Sequence, residues 1–324
     1  MTVHVIATGG TISSHLGPDG WIGLDGATLV AELDPPAGGV VVHDVTAGPS
    51  SHLSVADMVT IVGRIRDSLD LGATGVVVTH GTDTIELTAF VAQLLLGTTD
   101  RRAPVVFTGS MRVHSHPQPD GPRNLADAIT VAAHPDAVGR DVLVCLDGQL
   151  HGADRVIKID ATSLDAFTSS PFAPLGSVAD LTVAFADTER RGRPPATSMH
   201  PDVPLITCYP GIAADQVTAA LDGRRGAVIE GFGDLNVPSQ LWGPIHLAAR
   251  AGTLVVLASR PFTHTVTSDG LEQLGAIGAG GLTAQRARLA AMAALGTCAT
   301  RDDAVAFVHS YRLHHDAHDR SSTA

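Results

Sequence analysis

Four segments of this 324-residue chain carry polar side chains at spacings that could do chemistry. Ala7-Thr8-Gly9-Gly10-Thr11-Ile12 puts a hydroxyl directly after two glycines. Glycine lets a backbone turn sharply and approach a ligand, so Thr11 would project from a tight loop. His80-Gly81-Thr82-Asp83-Thr84 supplies a second threonine beside a carboxylate, and Gly48-Pro49-Ser50-Ser51-His52 adds two adjacent hydroxyls. Asp154-Arg155-Val156-Ile157-Lys158 carries the only lysine of the chain, against twenty arginines. Arginine stays protonated, whereas a lysine can give up its proton when its surroundings require it. A threonine hydroxyl attacks a carbonyl poorly until a base takes its proton. Thr11 as nucleophile, with Thr82, Asp83 and Lys158 as its activating group, would form such a device. Each segment alone has a plainer reading: a Gly-Gly-Thr turn is most often only a turn, Asp83 and Thr84 could cap a helix, and paired serines are common loop polarity.

The elements that must position these residues alternate between β-branched runs and helical periodicity. Val3–Ala7, Val40–Val45, Gly75–Thr79, Val105–Thr108 and Val142–Leu146 read as strands. Ser54-Val55-Ala56-Asp57 is a capping box opening a helix with Met58, Ile61, Val62 and Ile65 on one face. Further helices are expected through Leu87–Leu96 and near Asn124–His134. Strands separated by helices argue for a doubly wound, mostly parallel sheet, in which ligands bind at the carboxyl ends of strands near a switch in strand order. The first two polar segments fall at such ends. A polar stretch from Thr188 to Ala196 reads as an interdomain linker. Beyond it, strands at Leu205–Cys208, Ala227–Glu230 and Thr253–Leu257 alternate with helices at Ala213–Leu221 and Gln240–Arg250, and Ala284–Leu295 is a longer helix. Thr300 to Asp303 is a capping box for the last helix, and the tail from His314 is expected to fray. The fold class expected is α/β: a larger N-terminal doubly wound domain (1–187), a linker (188–203) and a smaller C-terminal α/β domain (204–324).

Composition narrows the function classes. Hydrophobic residues at 44% and charged residues at 17% are enough for a sizeable core. The net charge of −12 opposes binding to phosphate backbones, which needs a basic surface, so no nucleic-acid partner is expected. Arg190, Arg191 and Arg193 read as a solvated loop. Cys145, Cys208 and Cys298 are odd in number and widely spaced, consistent with structural thiols in a reducing compartment. No basic leader precedes the first strand and no apolar run approaches the ~18 residues of a membrane span, so a cytoplasmic chain without a membrane partner is expected. His114-Ser115-His116 and His314-His315 lack a third ligand at metal spacing and read as incidental loop histidines. His80 is expected to support its loop by hydrogen bonding.

The Ala7–Ile12 and His80–Thr84 segments resemble the two signature segments of the bacterial-type L-asparaginases. The resemblance continues in Gly109-Ser110-Met111-Arg112, in Asp120-Gly121-Pro122-Arg123-Asn124-Leu125, around Lys158 and, more loosely, in Gly280–Arg288, and so covers nearly the whole chain. It implies hydrolysis of L-asparagine to L-aspartate and ammonia through an acyl-enzyme, with a mixed glutaminase-asparaginase or a low-activity amino-acid-binding regulatory protein as alternatives. Thr11 matches the nucleophile, and Thr82, Asp83 and Lys158 match the second triad. Ser50, Ser51, Thr82 and Asp83 match the substrate-binding groups. Asn236 matches a residue lent across a subunit interface. The resemblance implies no metal and no cofactor, a small-molecule partner (L-asparagine or L-glutamine) and a homo-oligomer, tetramer or dimer. The family's mobile loop after the nucleophile usually carries a tyrosine; this chain has only Tyr209 and Tyr311, and Trp21 is the nearest aromatic. The loop from His15 to Gly26 is the expected lid.

Overall fold

The structure is a computed structural model, and it describes residues 2–33, 39–45, 48–98, 103–187, 192–261 and 270–313. The tail from His314 and residues 188–191 of the expected linker, Arg190 and Arg191 included, lie outside the described residues. The chain forms two compact units, Met1–Pro195 and Ala196–Ala324.

The first unit is organised by an eight-stranded sheet. Its parallel part contains β1 (Val3–Ala7), β4 (Val40–Asp44), β5 (Gly75–Thr79), β6 (Val105–Thr108) and β7 (Leu143–Leu146), in the spatial order β7-β6-β5-β1-β4. Every residue of β1, β5, β6 and β7 is buried, which their Val-rich runs require, because a parallel sheet is covered on both faces. The connections are α1 (Gly26–Ala31), α2 (Val55–Asp70), α3 (Ile85–Leu96) and α4 (Gly121–Ala132). Helix α2 begins with the expected capping box: Ser54 N donates to Asp57 Oδ2 at 2.8 Å, and Asp57 N donates to Ser54 Oγ. Met58, Ile61, Val62 and Ile65 are buried on its inner face.

Strands β1 and β5 are neighbours, but the chain leaves β1 for β4 on one side and leaves β5 for β6 on the other. Their carboxyl ends therefore open a crevice at the switch in strand order. Beyond β7 the sheet turns antiparallel through β8 (Gln149–Gly152), β11 (Gly176–Ala179) and β12 (Thr182–Phe185). Asp147-Gly148, both at positive φ, make the tight turn between β7 and β8. Two short pairs complete the unit. The first is β2 (Ser14–Gly17) with β3 (Gly20–Gly23), and the second is β9 (Ile157–Lys158) with β10 (Phe167–Thr168). The expected lid loop is thus a β-hairpin, turned at Gly17-Pro18-Asp19-Gly20.

The second unit has a four-stranded parallel sheet in sequential order: β13 (Leu205–Thr207), β14 (Gly226–Gly231), β15 (Leu254–Ser259) and β16 (Ile277–Gly278). Helices α5 (Ala214–Leu221), α6 (Trp242–Arg250), α7 (Gly270–Leu274), α8 (Ala284–Thr297) and α9 (Arg301–Ser310) accompany it. Thr300 caps α9 by accepting from Asp303 N.

Arg193 overturns its reading as part of a solvated loop. It is 1% exposed and its guanidinium donates to Asp154 Oδ2 at 2.6 Å, with Asp154 itself fully buried. Arg193 also pairs its backbone N–H with Thr98 Oγ1, so the end of the first unit is stitched into its interior. Sequence polarity around Arg193 gives no sign of this, because its carboxylate partner lies 39 residues away. Removing one member of a buried ion pair strands the other charge in low dielectric, at about 3–5 kcal/mol. Arg155 Nε also lies 3.6 Å from Asp154 Oδ1, so Arg193→Met should lower the stability of the first unit by at most that amount in urea unfolding; a loss below about 1 kcal/mol would show that Asp154 is not left stranded.

Candidate active site

The loops that follow β1 and β5 approach each other at the level of backbone, and glycine makes this possible. Gly10 has φ +92°, and a Cβ there would meet Gly81 Cα at 2.5 Å. A Cβ on Gly81 would meet Ser50 Oγ at 2.6 Å. No side chain fits at either position, so the Thr11 turn, the Thr82 loop and the Ser50 turn form one packed cluster. Thr8 joins the first two by donating from Oγ1 to Thr79 O at 2.8 Å. Thr84 joins the last two by donating from Oγ1 to Ser50 O at 2.9 Å. The capping reading of Thr84 and Asp83 therefore does not hold: α3 has no side-chain cap, and both side chains are used elsewhere.

Asp83 is used with the lone lysine. Lys158 Nζ donates to Thr82 Oγ1 at 2.8 Å and to Asp83 Oδ1 at 2.9 Å. Thr82 is buried and the lysine side chain is 19% exposed, whereas Asp83 is 63% exposed. An ion pair this open to solvent contributes little to folding, so stability alone explains the arrangement poorly. Helix α3 also reaches the strand that carries the lysine, through a hydrogen bond from Lys158 N to Glu86 Oε2 at 2.8 Å.

Thr11, Thr82, Asp83 and Ser50 line a single cavity of about 810 Å³, together with Gly9, Gly10, Gly81, Asp25, Asp44 and the hairpin residues Trp21 and Ile22. The structure thus brings together Thr11, Ser50, Thr82 and Asp83 on one wall, with Lys158 bonded behind the last two. Ser51 sits on the same short turn as Ser50 but is exposed and outside the lining. Asn236 lies in the second unit, after a 3-10 turn with Asp234 and Leu235 at positive φ, and its side chain donates to Gly233 O. Trp21 is 63% exposed at the mouth of the cavity. The first strand of the hairpin is held along its length by His114 N donating to Ser14 O and by Leu16 N donating to Ser115 Oγ. His114 also meets His15 and Glu32, and His116 accepts from Gln118 N. His314 and His315 lie outside the described residues. Among the described residues no group of three or more His, Cys, Asp or Glu side chains could hold a metal ion.

Residues 2–191 match the family described as "Asparaginase, N-terminal", and residues 202–306 match "Glutaminase/Asparaginase C-terminal domain". The chain belongs to the asparaginase family. A probable L-asparaginase of Deinococcus radiodurans is 36% identical, over 92% of this chain and 94% of that protein. L-asparaginase 2 of Escherichia coli is 29% identical over 90% and 88% of the two chains. A component of the glutamyl-tRNA(Gln) amidotransferase of Halobacterium salinarum is 31% identical over 80% of this chain and 65% of its own length. The solved structure of a probable cytoplasmic L-asparaginase from Campylobacter jejuni matches with a TM-score of 0.84 at 26% identity, covering 95% of this chain and 99% of that one. As a member of this family the protein is an amidohydrolase of the L-asparaginase type.

Within this asparaginase-family site, sequence reasoning passes over Glu86 and includes Asp120 in a family-like segment without giving it a role. Glu86 looks like an acid at a helix start, where the dipole favours it. Asp120 accepts from Ser110 Oγ, Met111 N, Arg112 N and Asn124 Nδ2, and so clamps the Gly109–Arg112 loop. A Cβ on Gly109 would meet His80 O at 2.5 Å and the Thr82 methyl at 3.3 Å, so this loop also lies close against the Thr82 loop. Neither role has a local sequence signal, since the partners converge only in the fold.

His80 supports its loop as expected, with Nδ1 donating to Gly81 O at 2.8 Å. It is fully buried, and burial pushes its pKa down from 6.5 to about 4. The unfolded chain therefore binds a proton that the folded chain refuses between those values. This contribution to stability is present above pH 6.5 and is lost as pH falls towards 4. Urea midpoints should show wild type losing about 2 kcal/mol more than His80→Asn between pH 7 and pH 5. Equal losses would mean that His80 is protonated in the folded protein.

Proposed function

We propose that the protein hydrolyses L-asparagine to L-aspartate and ammonia, with Thr11 as nucleophile and Thr82, Asp83 and Lys158 as the group that activates it. One observation carries this reading: the only lysine bonds at 2.8 Å and 2.9 Å to the two polar side chains of a loop that shares a cavity with Thr11. Asp83 and Ser50 hold the α-ammonium and α-carboxylate ends of the substrate, which points its side-chain amide at Thr11; Ser51, exposed and outside the cavity lining, is left without that role. Thr11 Oγ1 attacks the amide carbon as its proton passes towards the Thr82–Lys158 pair. Backbone N–H groups of the glycine loops, with water polarised by Thr82, carry the charge on the amide oxygen. The C–N bond breaks, ammonia leaves with the proton, and water then cleaves the ester on Thr11 to give aspartate and restore the hydroxyl.

Hydrolysis of L-glutamine at the same site is the second reading, favoured by the volume of the cavity. One extra methylene changes binding by only about 1–3 kcal/mol, so the two amides compete on close terms. Cys145, Cys208 and Cys298 are all free, and with the likeness to an asparaginase described as cytoplasmic they support a cytoplasmic setting. Asn236 is assigned to a cross-subunit contact in a homo-oligomer, dimer or tetramer.

The test is ammonia release from asparagine and glutamine, measured side by side. General-base help is worth roughly 10²–10⁴-fold. Thr11→Ala should be inactive and Thr11→Ser partly active, because the serine keeps a hydroxyl. Thr11→Ala releasing ammonia as fast as wild type would end the assignment. Lys158→Arg keeps the charge without a removable proton and should lose nearly all activity while remaining folded. Activity retained in Lys158→Arg would make the lysine structural.

A further inference from the structure

Strand β9, which carries Lys158, is only two residues long, and its partner β10 is equally short. The pairing that survives places Ile159 N on Ala166 O at 2.7 Å. Successive residues of a strand turn their N–H groups to opposite edges, so Lys158 N faces away from β10. Among the described residues no strand pairs at that edge. The acceptor is the Glu86 carboxylate, at 2.8 Å, from the first turn of α3. Glu86 stands three residues after Asp83 and four after Thr82 in the same chain. The contacts therefore close a ring: the amine of Lys158 bonds to Thr82 and Asp83, and its backbone N–H bonds to Glu86 of the same segment. The second bond fixes the root of the lysine side chain as the first two fix its tip.

We propose that Glu86 is the positioning residue for Lys158, an inference that rests on the assignment of Lys158 under the proposed function. Its carboxylate oxygen holds the backbone of β9 at a fixed distance from the Thr82 loop. Without it a two-residue strand has one edge unpaired, and the lysine amine is no longer held at bonding distance from Thr82. Misplacement of a catalytic group by about 1 Å costs roughly 100-fold in rate. What Glu86 supplies is an acceptor oxygen in the right place, not a proton, so glutamine should replace it.

The experiment compares Glu86→Gln with Glu86→Met, which matches the side chain in length and helix preference but offers no comparable acceptor. Two quantities are read on each full-length protein: kcat and KM for ammonia release, and the hydrogen-exchange rate of the Lys158 amide. Glu86→Gln should stay within threefold of wild type in both. Glu86→Met should lose at least tenfold in kcat with KM changed by less than threefold, and its Lys158 amide should exchange at least tenfold faster. The proposal is overturned if Glu86→Met keeps wild-type kcat, if its loss falls on KM, or if Glu86→Gln is as impaired as Glu86→Met. Should Glu86→Met fail to fold by circular dichroism, Glu86→Ala is read in its place by the same criteria. A wild type that releases no ammonia sinks the proposed function; an unprotected Lys158 amide in wild type sinks the anchoring role by itself.

Discussion

Lys158 Nζ meets Thr82 Oγ1 across 76 residues of chain, and the rest of the site makes sense only with that bond in place. A threonine hydroxyl is a weak nucleophile, and among the described residues none on the cavity wall is a basic side chain. The amine reaches the cavity only through Thr82 and Asp83, the one buried and the other largely open to solvent. The pair therefore has little to offer folding, and the proposed function gives it proton transfer instead. The molecule meets the constraint by building the two sides on different supports, the Thr82 loop at the end of the central strand β5 and the lysine on a marginal two-residue pair.

The parallel sheet explains where the cavity is, and the glycines explain why its walls are so close. β1 and β5 lie side by side with their chains departing in opposite directions, which opens a crevice at their ends. Gly10 and Gly81 then let the two loops close until backbone meets backbone, so Thr11 and Thr82 share one wall. His80, fully buried, bonds through Nδ1 to Gly81 O within the same contact. Around it, the Asp120 clamp and the hairpin contacts at Ser115 and His114 tie the outer loops to the same frame.

Much of this is legible in the sequence where the cause is local. The Val-rich runs read as buried parallel strands, and Ser54 with Asp57 reads as a helix start. The Gly9-Gly10-Thr11 and Gly81-Thr82-Asp83 segments carry both their geometry and their chemistry in adjacent residues. The lone lysine stands out because every other Lys or Arg position holds arginine. What escapes depends on partners distant along the chain. Arg193 looks like loop polarity because Asp154 meets it only after folding. Glu86 looks like an ordinary helix-start acid. The hairpin escapes for a different reason: Gly17-Pro18-Asp19-Gly20 is turn chemistry, but its strands expose Leu16, Trp21 and Ile22 and show no buried face to betray them.

If the mechanism holds, Thr11 becomes covalently acylated and Lys158 makes this possible. Mixing the enzyme with asparagine, quenching in acid within the first turnovers and mapping the adduct by peptide mass spectrometry reads both steps at once. An aspartyl ester is expected on Thr11 in wild type, and none above background in Lys158→Arg. An ester on another residue, or equal labelling of Thr11 in both proteins, would contradict the mechanism.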